Sequence, residues 1–162
     1  MDNGEIKHKV FIQDGDESSL IKSAVIETLN SEMVDMLCVV NVLITDDKKI
    51  RVYNRDYRGV DKATDVLSFP MQVFIKAGWD GIGEKEIDEE TGDLPLGDII
   101  ISTESIERQA EEYGNTTEYE TAYLIVHSTL HLLGYDHDNE ANENIMHKKN
   151  KAIIKKMGFK NQ

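Results

Sequence analysis

Apolar and polar positions change their period several times along this chain, and each change marks an element. Residues 6 to 13 read as a strand. From 17 to 30, Leu20, Ile21, Ala24, Val25, Ile26 and Leu29 fall at helical spacing behind a possible cap at Asp16. Residues 36 to 44 are rich in Val, Leu and Ile, short, and bounded by acids and polar residues, as a buried strand is. A polar helix follows from Thr45 to about Tyr57, with Thr45 or Asp46 as its cap. The strings DVLSFPM, at 65 to 71, and GDIIIS, at 97 to 102, read as two more strands, the first ending at Pro70. Between them, residues 76 to 94 are rich in glycine and acids and are expected to form an exposed excursion.

Three helices complete the pattern. Residues 103 to 113 fit a helix stopped by Gly114; Thr117 and Glu120 have capping-box spacing and open a helix that runs to Gly134; Asp138 or Asn139 caps a last helix ending near Gly158. The order β-α-β-α-β-β-α-α-α predicts an α/β (α+β layered) protein: a small mixed sheet of about four strands with about five helices. Residues 1 to 162 are expected to form one domain, since the length suits a single core and no repeat or linker interrupts it. The helix opened at Thr117 carries Ala122, Tyr123, Leu124, Ile125, Val126, Leu130, Leu132 and Leu133 and keeps almost no polar face apart from its histidines, which predicts a buried central helix.

Composition narrows the classes. No apolar run approaches the length that spans a bilayer, so a membrane protein is not expected. The first residues lack the basic start and apolar stretch of an export signal, which predicts a cytoplasmic protein. Cys38 is the single cysteine, in an apolar setting that reads as core. The net charge of -13 argues against a nucleic-acid partner until its distribution is considered. Residues 80 to 93 supply -6 of it, whereas from 145 onward there are six lysines, Lys148, Lys149, Lys151, Lys155, Lys156 and Lys160, and no acid. Lys48, Lys49, Arg51, Arg55, Arg58 and Lys62 form a second basic cluster, diluted by acids, so local positive surfaces are compatible with an acidic whole.

The chemistry lies in HSTLHLLGYDH, residues 127 to 137. His127 and His131 are four apart, so on a helix their imidazoles share a face one turn apart. Gly134 ends the helix and lets the chain turn, so that His137 swings back as a third ligand. Three neutral imidazoles with an open fourth position describe a catalytic zinc site, one ion, although imidazole also suits nickel, copper or iron. The spacing also matches that of metallopeptidases, which place a glutamate directly after the first histidine; here Ser128 stands there and cannot serve as base.

HSTLHLLGYDH, together with NRDYRGVDKATDVLSFP at 54 to 70 and LGDIIIS at 96 to 102, resembles the YbeY family of bacterial endoribonucleases over most of residues 36 to 158. The resemblance implies an α/β fold in which His127, His131 and His137 bind zinc. It implies cleavage of single-stranded RNA in small-subunit ribosomal RNA 3′ end processing and ribosome quality control, with the small subunit or its associated proteins as partners and no membrane. It also maps the family's arginine in the YRG block onto Arg58. Ser128 departs from the family's usual glycine, and the acidic 76 to 94 segment is longer than is typical.

Within that reading Arg58 is the candidate for stabilising charge on a phosphoryl group. Asp136 and Asp138 are the acids nearest the ligands and candidates for a base or orienting acid, with Asp98 at a strand start as a third; Asp136 equally suits holding an imidazole tautomer, and Asp138 reads more simply as a helix cap. Ser68 and Phe69 either line the site or simply alternate between core and surface, Tyr135 reads as a packed tyrosine, and Met146 and Met157 have core spacing. His8 and His147 are expected at the surface. Two other classes stay open: a metal-dependent hydrolase of a peptide or small molecule, and a ribosome-assembly factor whose metal is mainly structural.

Overall fold

Residues 6–15 and 18–159 are described by a computed structural model. Four strands, β1 (Lys9–Gln13), β2 (Cys38–Thr45), β3 (Val66–Pro70) and β4 (Leu94–Ser102), form one mixed sheet in the order β1-β2-β4-β3. β1 and β2 and β2 and β4 pair in parallel, whereas β3 runs antiparallel to β4 and is an outer strand. The helices are α1 (Ser19–Ser31), α2 (Asp47–Arg58), α3 (Thr103–Tyr113), α4 (Thr117–Leu132) and α5 (Glu140–Lys156). The predicted α/β class, strand number and helix number all hold.

The two faces of the sheet are unequal. On one face Val40, Val42, Ile99 and Ile101 join α1, α4 and α5 in the main core; on the other, Leu67 and Ile100 meet Ile50 of α2 in a small second cluster, with Leu43, Tyr53 and Phe69 around it. The period-2 alternation of β2, β3 and β4 produces this division. Helix α4 lies in the middle of the larger core, with Leu124, Ile125, Val126, Leu130 and Leu132 buried. Each such leucine or isoleucine contributes roughly 1.5–3 kcal/mol of burial free energy, which fixes the backbone that carries the histidines. Gly97 permits the close approach of α4 to the sheet, since a Cβ there would stand 2.5 Å from the Phe69 carbonyl oxygen and 2.7 Å from Leu132 Cδ2.

Several local expectations change. Ser18 caps α1 through its hydroxyl; Asp16 lies outside the described residues. Asp46, not Thr45, caps α2. The cap of α4 is Thr116 rather than Thr117, and Glu120 does not close a capping box: it accepts a hydrogen bond from the Asn115 side-chain amide instead. Asn139 caps α5, while Asp138 accepts from the Asn142 side chain. The 76 to 94 excursion is not wholly exposed. It contains a short 3-10 turn (Trp79–Gly81) whose Trp79 ring is buried against the main core and donates to Asp35 at 2.7 Å. His8, expected at the surface, is buried, and its Nδ1 accepts the Cys38 N–H at 3.0 Å.

Candidate metal centre

His127 and His131 stand one turn apart on the one strip of α4 that the core leaves partly open. After the cap residue Leu133, Gly134 adopts φ +90 and the Tyr135 N–H returns to the Leu130 carbonyl, so the chain reverses and brings His137 alongside. The three rings then enclose one point. Their centroids are 4.6 Å (127 to 131), 4.9 Å (131 to 137) and 5.7 Å (127 to 137) apart. One ligand nitrogen from each lies within 4.8 Å of the others, and the Nε2 atoms of His127 and His131 are 3.1 Å apart. Donors of a tetrahedral zinc, each about 2.0–2.1 Å from the ion, stand about 3.3 Å apart, a spacing that the His127–His131 pair nearly has.

The ring orientation fits an ion as well. His131 Nδ1 donates to the Tyr135 carbonyl at 2.8 Å, which assigns its proton to Nδ1 and turns the Nε2 lone pair toward the cluster. Burial lowers the pKa of His131 against the opposing pull of that carbonyl. Burial, reinforced by the charges of His131 and His137 and opposed by Asp65, pushes His127 down to about 4. Both rings are thus neutral ligands near pH 7. His137 is exposed, so the cluster opens to solvent on that side.

In the metal-free protein His127 resists protonation that the unfolded chain, near 6.5, accepts freely, so the unfolded state binds more protons between those values. Stability of the metal-free protein is therefore expected to fall as pH drops from about 6.5 to about 4. Urea midpoints across that window test this, and a His127→Gln protein should show a shallower slope. An identical slope would show that His127 titrates normally.

The turn after α4 is held from three directions. The Gly78 N–H bonds to the Leu133 carbonyl at 2.9 Å. The Tyr135 hydroxyl donates to Glu32 at 2.5 Å, and Lys149 of α5 donates to the other oxygen of Glu32 at 3.0 Å. A Cβ on Gly134 would stand 2.6 Å from Phe74 Cβ, at a backbone angle that side chains rarely adopt. Gly134→Ala is expected to cost roughly 2–6 kcal/mol, the sum of backbone strain and overpacking. Urea unfolding of the metal-free variant measures it, and a loss below about 1 kcal/mol would mean that the turn relaxes freely.

Beside the histidines lies an open cleft of about 560 Å³, bounded by β3, the end of α2 and the 134 to 137 turn. Arg58, the last residue of α2, reaches its wall, exposed, with Nη1 on Asn54 Oδ1 at 3.3 Å. Asn54 is buried and donates to the Lys62 carbonyl at 2.9 Å, which fixes the arginine's neighbour. Arg51 and Arg55 are paired with Asp61 and Asp56, but among the described residues no carboxylate pairs with Arg58. Of the basic residues of α2, Arg58 is the one that lines this cleft.

Of the carboxylates singled out in the sequence, Asp136 lines the cleft and accepts the His137 N–H through Oδ1 at 2.7 Å. Asp98 is not brought to the histidines. It shares the α2 face of the sheet with Ile100 and accepts from Asn41 at 3.0 Å. Asp65, which sequence reasoning passed over, lines the cleft instead; its oxygens accept from the Val66 N–H and from Gln109. Ser68 lines the cleft, whereas Phe69 points to the other face and packs edge-on to Tyr57 at 5.4 Å. Ser128 is wholly buried on the far side of the motif.

The lysines of α5 do not form a free basic stripe. Lys149, Lys151 and Lys156 bond to Glu32, Tyr119 and Ser31, and Lys160 lies outside the described residues. Met146 is buried and Met157 packs on the core. Cys38 is buried too, and burial with the nearby Asp35 pushes its thiol up to about 12. Among the described residues no helix is long and apolar enough to cross a membrane.

Comparison with known proteins gives consistent results. A family model described as Endoribonuclease YbeY matches residues 3–158. A relative of that name from Caldanaerobacter subterraneus subsp. tengcongensis is 43% identical over 142 residues, 88% of each chain. Another, from Clostridium botulinum strain Loch Maree, is 39% identical over 96% of this chain and 95% of its own. The solution structure of TM1509 from Thermotoga maritima matches with a TM-score of 0.58 at 28% identity, over 92% of this chain and 87% of that one.

Proposed function

The chain belongs to the YbeY endoribonuclease family, and from that premise we propose that it is a zinc-dependent hydrolase of single-stranded RNA, acting in the cytoplasm on small-subunit ribosomal RNA as part of its maturation and quality control. The observation that carries this reading is the meeting, in one open cleft, of three convergent imidazoles and an arginine that has no carboxylate partner among the described residues.

His127, His131 and His137 would hold a divalent ion, which would supply Lewis acidity and lower the pKa of water. Arg58 presents its planar fork to the non-bridging phosphate oxygens, where negative charge grows in the transition state. Asp136 keeps one oxygen on the His137 N–H and leaves the other free to take a proton from water in the cleft. Asp65 stands in the cleft wall, and its charge opposes the lowering that burial and the neighbouring histidines impose on His127. Asp98, on the other face of the sheet, has no part in this scheme.

The acidic net charge gives the protein little general affinity for RNA, so recognition falls to the cleft and to ribosomal components that present the strand. A single-stranded RNA copying the small-subunit 3′ region is expected to be cut by the zinc-loaded protein, and a matching duplex spared. Chelation should abolish cutting, and added zinc restore it. Cleavage indifferent to chelation would defeat the proposal.

A further inference from the structure

The histidine cluster is a partition between two cavities. Besides the cleft that holds Arg58, a second hollow of about 390 Å³ opens between α4 and α5. His127 and His137 belong to the walls of both. A polymer whose scissile phosphate rests at the cluster must extend to either side of it, so the second hollow stands where an adjoining nucleotide goes.

Its chemistry differs from that of the first. Among the described residues no lysine or arginine lines it, and Glu143 stands at its rim, which disfavours a phosphate. The half-buried Tyr123 and the exposed His147 supply ring surfaces, tied together by a 3.2 Å hydrogen bond between the Tyr123 hydroxyl and His147 Nδ1. Tyr123 is itself stacked on Tyr119 at 6.2 Å, so the platform rests on a packed ring. Met146, buried, forms an apolar floor. Aromatic and apolar surfaces with a rim of polar groups and no cation suit an unstacked base. The volume also falls within the usual range for small-ligand sites.

We propose that this hollow is a base-recognition subsite of the RNA strand and that Glu143 makes it selective. The inference rests on the ribonuclease reading. A carboxylate accepts hydrogen bonds, so it favours a base edge with adjacent donors. Guanine offers N1–H and the N2 amino group side by side. Uracil offers one N–H between two carbonyls, which the carboxylate repels. Guanine is therefore the preferred base next to the cut and uracil the least favoured, by roughly tenfold or more in cleavage rate.

The test uses the zinc-loaded full chain and short single-stranded RNAs that differ only in the bases flanking one cleavage site. The expected result is a guanine-over-uracil preference on one side, flattened by Glu143→Gln with bound zinc unchanged. In parallel, guanosine monophosphate and uridine monophosphate are titrated while the ring resonances of Tyr123 and His147 are followed. Guanosine monophosphate is expected to shift them more strongly than uridine monophosphate, and less so in the variant. Cleavage without base preference, together with equal or absent shifts, would overturn the subsite. If the nucleotide shifts appear but no RNA is cut, the ribonuclease reading fails while the base site stands.

Discussion

His131→Ala is expected to strip the protein of bound metal and to reduce RNA cleavage by on the order of 10³-fold or more, because the ion's share of transition-state stabilisation is several kcal/mol. His131 is the middle ligand of the three, closer to each of the other rings than His137 is to His127. Its loss leaves two imidazoles farther apart than any other pair. The ring is only partly buried, and the core side of α4 is made by its leucines, so the fold should persist. Metal analysis beside a circular dichroism spectrum separates loss of the ion from unfolding. A variant that keeps stoichiometric metal and full activity would remove His131 from the ligand set.

Arg58→Ala should behave differently: cleavage lower by roughly 10²–10³-fold, metal content intact. The side chain is exposed and its bond is to the neutral Asn54, so stability should change by less than about 1 kcal/mol. Arg58→Lys should recover little, since an ammonium lacks the fork that meets two phosphate oxygens at once. The decisive measurement is the single-turnover rate of each variant with zinc content determined in parallel. Undiminished cleavage by Arg58→Ala would mean that this charge serves another purpose.

Much of this was legible beforehand because local rules coincide with global ones along α4. The same residues that make the helix apolar leave its histidines on one strip, and Gly134 announces the reversal that delivers His137. The strands could be found for the same reason, since Val, Leu and Ile mark them without reference to neighbours. The face of a strand is a different matter. In GDIIIS three successive isoleucines satisfy both sides of the sheet, so nothing in the string says that Asp98 turns away from the histidines. Asp65 was missed for the complementary reason: it reaches the cleft only because β3 lies at the sheet edge beside α4, a tertiary fact. The caps at Thr116 and Asn139 illustrate a smaller ambiguity, where adjacent Thr-Thr and Asp-Asn pairs offer equivalent oxygens and backbone geometry selects one. His8 and Trp79 were hidden by polar surroundings in sequence that fold against the core.

The hold of Glu32 on Tyr135 and Lys149 reaches beyond orientation. One carboxylate joins the end of α1, the ligand turn and the middle of α5, with the lysine also 5.3 Å above the tyrosine ring. An ion that tightens the turn therefore tightens two distant helices. At a hundredfold excess over its dissociation constant it adds about 2.7 kcal/mol to the folded state. Part of that gain should surface as slower amide exchange around Glu32 and Lys149, in residues that never touch the metal. Zinc supply would then govern how long the protein survives proteolysis as well as how fast it acts.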